Sequence, residues 1–259
     1  MKKISNGPKS VINLINDLFM RKNIILFLIL FNFVPQNLLA RDYNFDVYGL
    51  NLRFMKVQFS TASNNTIATE IESQSLLAFF SYFKGVGITK NTKDQFTYNF
   101  SYDKIKKKRS TTIVFKNNKV IKNFSVPAKE IKKNIVPVQK QDLENVVDPL
   151  TAIQVLVFDQ KNNLNCNKQQ KVFDGTNVFY LKLSQENSDG YVIDSSKLSY
   201  QGSLQKCKLS YAIVSGHEKE DEKKLNKMYV DIFFGKQNKM FLPYFLTTKS
   251  KITLEMFLN

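Results

Sequence analysis

The chain has no tryptophan, one histidine and two cysteines among 259 residues, and only nine glycines and six prolines. Each scarcity removes a class of chemistry. With His217 as the single imidazole, a Ser-His-Asp site has one base to draw on, and no G-x-S-x-G elbow frames a nucleophile. A zinc site would have to be made from His217, Cys166 and Cys207, one ligand short of the four that structural sites use. The glycines form no phosphate-cradling loop and no Walker motif, and no metal-ligand spacing occurs. There is no C-x-x-C, which removes a redox-active dithiol. No linker rich in Pro, Gly or Ser divides the chain and no internal repeat is visible, so one domain is expected. The expectation is a protein without enzymatic activity, cofactor or metal.

What is abundant points to strands. Hydrophobic residues make up 43% of the chain and aromatics 13%, with 22 Phe and 11 Tyr, enough for a substantial core. Aromatic and β-branched side chains pack well on a pleated surface. The formal charge is +16. Such a surplus attracts anionic partners, such as headgroups, lipopolysaccharide or nucleic acid. The plainer reading is compositional, because the lysines are scattered along the chain. The densest run, Lys104 to Arg109, reads as a solvated hairpin end.

The longest apolar run is Ile24 to Val34, eleven residues. A bilayer span needs about twenty, whereas a signal-peptide core needs fewer. Arg21 and Lys22 precede the run, Pro35 breaks it, and Leu38-Leu39-Ala40 offers a cleavage site. Residues 1–40 are therefore expected to be a cleavable signal peptide, with Met20 as a candidate true start. Residues 41–259 are expected to be a single, mostly β envelope domain in the periplasm. Cleavage leaves 33 basic and 21 acidic side chains, a formal +12, and no transmembrane segment. An uncleaved N-terminal anchor is the competing reading. Export argues against nucleic acid as a partner. In an exported chain two cysteines read as one disulfide, Cys166–Cys207, with free buried thiols as the alternative.

After residue 44, strand and turn patterns alternate. Phe45 to Leu50, the stretch to Ser60 and Thr66 to Ser75 read as strands, with a turn at Ser63 to Asn65. Leu76 to Val86 is compatible with a short helix or a buried strand. Phe96, Tyr98, Phe100 and Tyr102 alternate strictly with polar residues, an aromatic ladder on one strand face. Asn117-Asn118 and Asp174-Gly175 mark tight turns, and Ser188 to Gly190 another. Asp148-Pro149 is an N-cap followed by the first position of a helix expected over about 148–158, with Leu150, Ile153 and Val157 on its apolar side. Glu218 to Lys224 reads as an exposed charged loop. Met228 to Phe234 and Lys239 to Phe245 pair across Gly235 to Asn238, and Lys251 to Leu258 closes the chain.

From Asp148 onward, DPLTAI (148–153), Cys166, VFDG (172–175), YLKL (180–183), Cys207 and SGHEKE (215–220) follow in an order that resembles the alphaproteobacterial branch of the domain of unknown function 3108. YNFDVYGLNLRFMKVQF (43–59) is similar to that family's opening strand pair. One departure stands out: Thr176-Asn177-Val178 replaces the basic run that usually follows FDG. The resemblance implies a periplasmic or envelope protein of unestablished activity on a large curved antiparallel sheet or open half-barrel with one packed helix. That shape is LolA/LolB-like by analogy, after the lipoprotein carriers whose concave face holds acyl chains.

Two functional expectations follow. One is a protein that binds a lipid, a lipoprotein acyl chain or another apolar ligand in the concave face, lined by Phe96, Tyr98, Phe100, Tyr102, Leu150, Ile153 and Val157. The other is an envelope structural or interaction protein with a filled core, working through charge and sheet edges on an anionic envelope component. An outer-membrane barrel fits the length, but the chain ends in Leu258-Asn259 rather than an aromatic. His217 reads as a loop histidine beside a turn glycine. A general base with Ser215 or Glu218 is its alternative.

Overall fold

The computed structural model describes residues 41–62, 65–74, 82–105, 107–128, 134–186, 190–248 and 253–259. The expected signal peptide, its cleavage after Ala40, the Met20 start, most of the turn at 63–65, the first part of the 76–86 segment and most of the turn at 188–190 lie outside the described residues.

Thirteen antiparallel strands form one sheet: β1 (Arg41–Gly49), β2 (Leu52–Ala62), β3 (Thr66–Ser73), β4 (Phe83–Asn91), β5 (Gln95–Lys104), β6 (Lys107–Lys116), β7 (Lys119–Val126), β8 (Lys168–Phe173), β9 (Val178–Gln185), β10 (Gln205–Ser215), β11 (Tyr229–Gln237), β12 (Met240–Thr248) and β13 (Leu254–Leu258). Their spatial order is β7-β6-β5-β4-β3-β2-β1-β13-β12-β11-β10-β9-β8. The chain meanders outward from β1 to one edge, crosses to the opposite edge, and meanders back until β13 pairs with β1. The sheet does not close, as an open half-barrel requires. Its tight turns use residues that accept positive φ: Leu50-Asn51 at +52° and +63°, and Asn117-Asn118 at +51° and +57°. The β11–β12 turn falls at Asn238-Lys239 rather than across 235–238, and the ambiguous segment is strand from Phe83 onward.

The crossover between β7 and β8 supplies the interior. Asp148 caps α1 (Pro149–Ile153), which passes into a π-helical turn over Gln154–Phe158. The Asp148 side chain is completely buried. It accepts hydrogen bonds from the N–H of Leu150 (2.9 Å) and Thr151 (3.1 Å), and from Oγ1 of Thr151 (2.6 Å) and of Thr89 on β4 (2.7 Å). Burial pushes its carboxyl up, and the same hydrogen bonds pull it back toward the ionised form. Phe158 stacks between the first strands, 4.3 Å from the Phe59 ring and 4.4 Å from Tyr43, with Phe45 edge-on at 6.3 Å. The chain then returns under β12, where Gln160 O accepts from Phe241 N at 2.9 Å, and reaches Cys166, disulfide-bonded to Cys207 on β10.

The crossover also seals the seam between the edges. Val146 N donates to Asn118 O beside β7 (2.9 Å), Val147 N to Lys171 O of β8 (3.0 Å), and Phe173 N to Val147 O (3.0 Å). Outside the sheet, residues 190–204 cover β11–β13. Tyr191 meets Phe233 edge-on at 5.4 Å, Tyr200 lies 4.5 Å from Tyr244, and Lys197 Nζ sits 4.2 Å above Tyr48. That part of the sheet is buried on both faces. The segment read as a charged loop instead forms a 3₁₀ turn (Lys219–Asp221) and α2 (Glu222–Leu225), because Glu218 O and Glu222 O accept local N–H groups that a loop would leave to water.

Two substitutions test the anchoring. Phe158→Ala removes a buried ring clasped by three others and should lower the unfolding free energy by about 3–5 kcal/mol in urea titration. Reducing the disulfide, or making Cys166→Ser with Cys207→Ser, releases a loop with a sequence separation of 41. It should cost about 2–5 kcal/mol in the same assay.

Candidate ligand cavity

The crossover fills the concave face from β8 through β13 and β1–β3 to Thr89 of β4, but leaves space beside the Tyr98 to Tyr102 part of β5 and β6. The inward residues of β5 are the ladder Phe96, Tyr98, Phe100 and Tyr102. Across β4 their partners are Asn91, Thr89, Gly87 and Gly85, so Phe100 and Tyr102 face glycines. Cβ atoms at Gly85 and Gly87 would each come within 3.3 Å of the Phe100 ring. The missing side chains are what let these rings lie over the strand. Tyr98 and Phe100 are parallel with centroids 6.4 Å apart, and Tyr102 follows at 6.3 Å. On the other side, β6 sets Ile113, Thr111 and Arg109 opposite Tyr98, Phe100 and Tyr102. Arg109 therefore continues the inward face. This corrects its reading as part of a solvated hairpin end: Lys107 and Lys108 are exposed, but alternation turns Arg109 to the ladder side.

The facing wall comes from three turns. Gly216-His217 follows β10, Asp174 to Asn177 joins β8 to β9, and Ile135 belongs to the crossover. The crossover locks the first of these, since Gly216 N donates to Val136 O (2.7 Å) and Val136 N donates to His217 O (2.9 Å). Gly216 adopts φ +87°, and a Cβ there would lie 2.0 Å from the Thr176 carbonyl oxygen. Only glycine fits this position. Gly175 presses on Thr111, and its carbonyl accepts from Asn123 Nδ2 of β7 at 3.1 Å, so the two sheet edges approach each other here.

Together these walls line a cavity of about 730 Å³ that opens to solvent. Its polar groups differ in what they already bind. Asp174 is saturated: Oδ1 accepts from Thr176 N (2.8 Å) and Asn177 N (2.7 Å), and Oδ2 from Asn177 Nδ2 (2.9 Å). His217 is 7% exposed, yet neither ring nitrogen has a hydrogen-bond partner, and Nε of Arg109 is likewise buried without one. Burial, with the charges of Asp148 and Asp174, pushes the Tyr98 phenol well above its ordinary value, so that ring is uncharged at any physiological pH.

The expected lining residues divide. Tyr98, Phe100 and Tyr102 line this cavity. Phe96 stacks on Phe115 at 4.4 Å and borders a second, more polar depression of about 570 Å³ with Thr89, Thr151 and Gln154. Leu150, Ile153 and Val157 pack into the hydrophobic core and line neither space. Sequence reasoning passed over Arg109 and His217. Extending the Thr111, Ile113, Phe115 alternation back by one step would have found the arginine, but nothing local marks the histidine as buried. Among the described residues no group of three or more His, Cys, Asp or Glu could hold a metal ion, and no helix is long and apolar enough to cross a membrane.

Gly216→Ala forces a methyl group onto a carbonyl in a backbone region that L-residues avoid. It should lower the unfolding free energy by at least about 2 kcal/mol in urea titration.

No protein-family model matches the chain, and no curated protein matches it. A similar solved structure is the crystal structure of a beta-barrel-like protein of domain of unknown function DUF1849 from Brucella abortus. It aligns over 85% of this chain and 95% of its own, at 10% identity and a TM-score of 0.46. This is a different domain of unknown function from 3108, the one the motifs resemble.

Proposed function

We propose that this chain is an exported protein of the cell envelope, without catalytic activity, that holds a small amphipathic or apolar molecule against the ladder Tyr98, Phe100 and Tyr102. The observation that carries the reading is a cavity of about 730 Å³ walled by three aromatic rings. Such a volume lies within the range of roughly 300–1,000 Å³ typical of ligand pockets. Three aromatic rings with Ile135 and Leu225 form the cavity's apolar side, and Arg109, His217 and three carboxylates its polar side, a lining that suits an amphipathic ligand. Residence in the periplasm and membership of the domain of unknown function 3108 belong to the same reading, supported by the apolar run at residues 24–34 and the motif order from Asp148. The disulfide fits an oxidising compartment.

The ligand is not a long acyl chain laid along the whole concave face as in a lipoprotein carrier, because the crossover occupies the half beneath β8–β13. That filling is also what favours the second reading, a structural or interaction protein. A neutral apolar fluorophore, N-phenyl-1-naphthylamine, separates the two. The purified protein should enhance its emission saturably, and Phe100→Ala, which opens the wall, should weaken binding about tenfold, as loss of a stacked aromatic contact of roughly 1–1.5 kcal/mol implies. Absence of saturable binding, together with native mass spectra free of any small-molecule adduct, would leave the structural reading standing.

A further inference from the structure

The cavity has a chemically distinct end. Arg109 sits opposite Tyr102 on β6, facing inward, and forms no ion pair or hydrogen bond among the described residues. His217 lines the same cavity, 93% buried by its 7% exposure, with both ring nitrogens unpartnered. Buried polar groups are ordinarily satisfied, since leaving one without a partner costs free energy. Two side chains with unpartnered buried nitrogens on one cavity mark where a hydrogen-bonding ligand belongs.

Resting on the ligand-binding reading, we infer that the Arg109–His217 end recognises an anionic head group, and that the ligand is a carboxylate-bearing amphiphile whose apolar body lies along Phe100 and Tyr98. The lining also carries three carboxylates. Asp174 already accepts three hydrogen bonds and Glu218 is already engaged, so their oxygens are committed to the protein, while their charge and that of Asp221 set the head group on the Arg109 side of the cavity. A cation there would face an unpaired guanidinium. A carboxylate would meet a planar fork suited to two parallel N–H···O bonds and an imidazole able to donate a third. The protein's surplus positive charge favours approach of such an anion from any direction.

The test compares 11-(dansylamino)undecanoic acid with its methyl ester, which share an apolar body and differ in the charge. The protein's lack of tryptophan leaves the dansyl signal free of indole background. Delipidated protein with its disulfide formed should bind the acid at least tenfold more tightly than the ester. Arg109→Gln should erase most of that ratio by weakening the acid alone, Arg109→Lys should keep part of it, and His217→Leu should reduce it. The thermal unfolding of each variant, followed by circular dichroism, should stay close to that of the parent. Equal binding of acid and ester, or a ratio untouched by Arg109→Gln in a folded variant, would overturn the inference while leaving the cavity a ligand site. Failure of both probes to bind would overturn the ligand-binding reading and this inference with it.

Discussion

The fold depends on one constraint: a thirteen-stranded sheet that does not close must cover its own concave face. Its topology supplies the means. The first seven strands end at one edge and the eighth begins at the other, so the connecting chain has to cross the interior. Asp148 fixes where it enters, bonding at once to the start of α1 and to Thr89 of β4. Phe158 fixes the middle against β1 and β2, and the disulfide fixes the exit on β10. A single segment is thus tied to both arms of the sheet, and it also hydrogen-bonds to both edges at the seam. Removing it would uncover the core and part the two edges of the sheet together.

The cavity is a consequence of that asymmetry. The crossover helix and π-helical turn fill the side nearer β8 and β12, while residues 190–204 cover the outside of β11–β13. The crossover reaches Thr89 and Gly87 on β4, and beyond them β5 and β6 receive no comparable filling. Their inner face is finished by their own rings, and Gly85 and Gly87 make room for those rings to lie flat on the strand. The far wall is built from turns rather than strands, which is why its key positions are the positive-φ glycines at 175 and 216. Turns placed by a rigid sheet are where binding groups tend to concentrate.

Much of the architecture was legible because its signals are local. Asp148-Pro149 states a helix start, Asn117-Asn118 states a turn, and strict alternation over 96–102 states a face. The site was less legible because it is assembled from residues far apart in the chain. Which side of the ladder faces open space depends on where the crossover packs, and periodicity within β5 carries no information about that. Leu150, Ile153 and Val157 have the spacing of a ligand-facing stripe, yet tertiary packing turned them into core. His217 carries no local sign of burial: its environment is created by Val136, eighty-one positions earlier, whose hydrogen bonds to Gly216 and His217 hold the turn inward. The helical turn at 219–225 was hidden for a related reason, since its charged residues suggest solvent and say nothing about backbone conformation.

The difference between a filled scaffold and a binding protein rests on what the two buried donors cost. Leaving a polar group unsatisfied in a protein interior costs about 1–3 kcal/mol, and more for a charged one, set against a whole-domain stability of about 5–15 kcal/mol. A sheet serving only as a scaffold would do better with leucine at 217, beside rings that already favour apolar neighbours. Buried oxygens without partners occur elsewhere too, at Asp46, Gln154 and Asp231, but only on this cavity do Arg109 Nε and both His217 nitrogens stand beside three aromatic rings. The combination is chemically coherent and is framed at Gly175 and Gly216 by positive-φ backbone that L side chains rarely adopt. That pattern is what a site open to a partner from outside the chain requires, and uniform packing does not produce it.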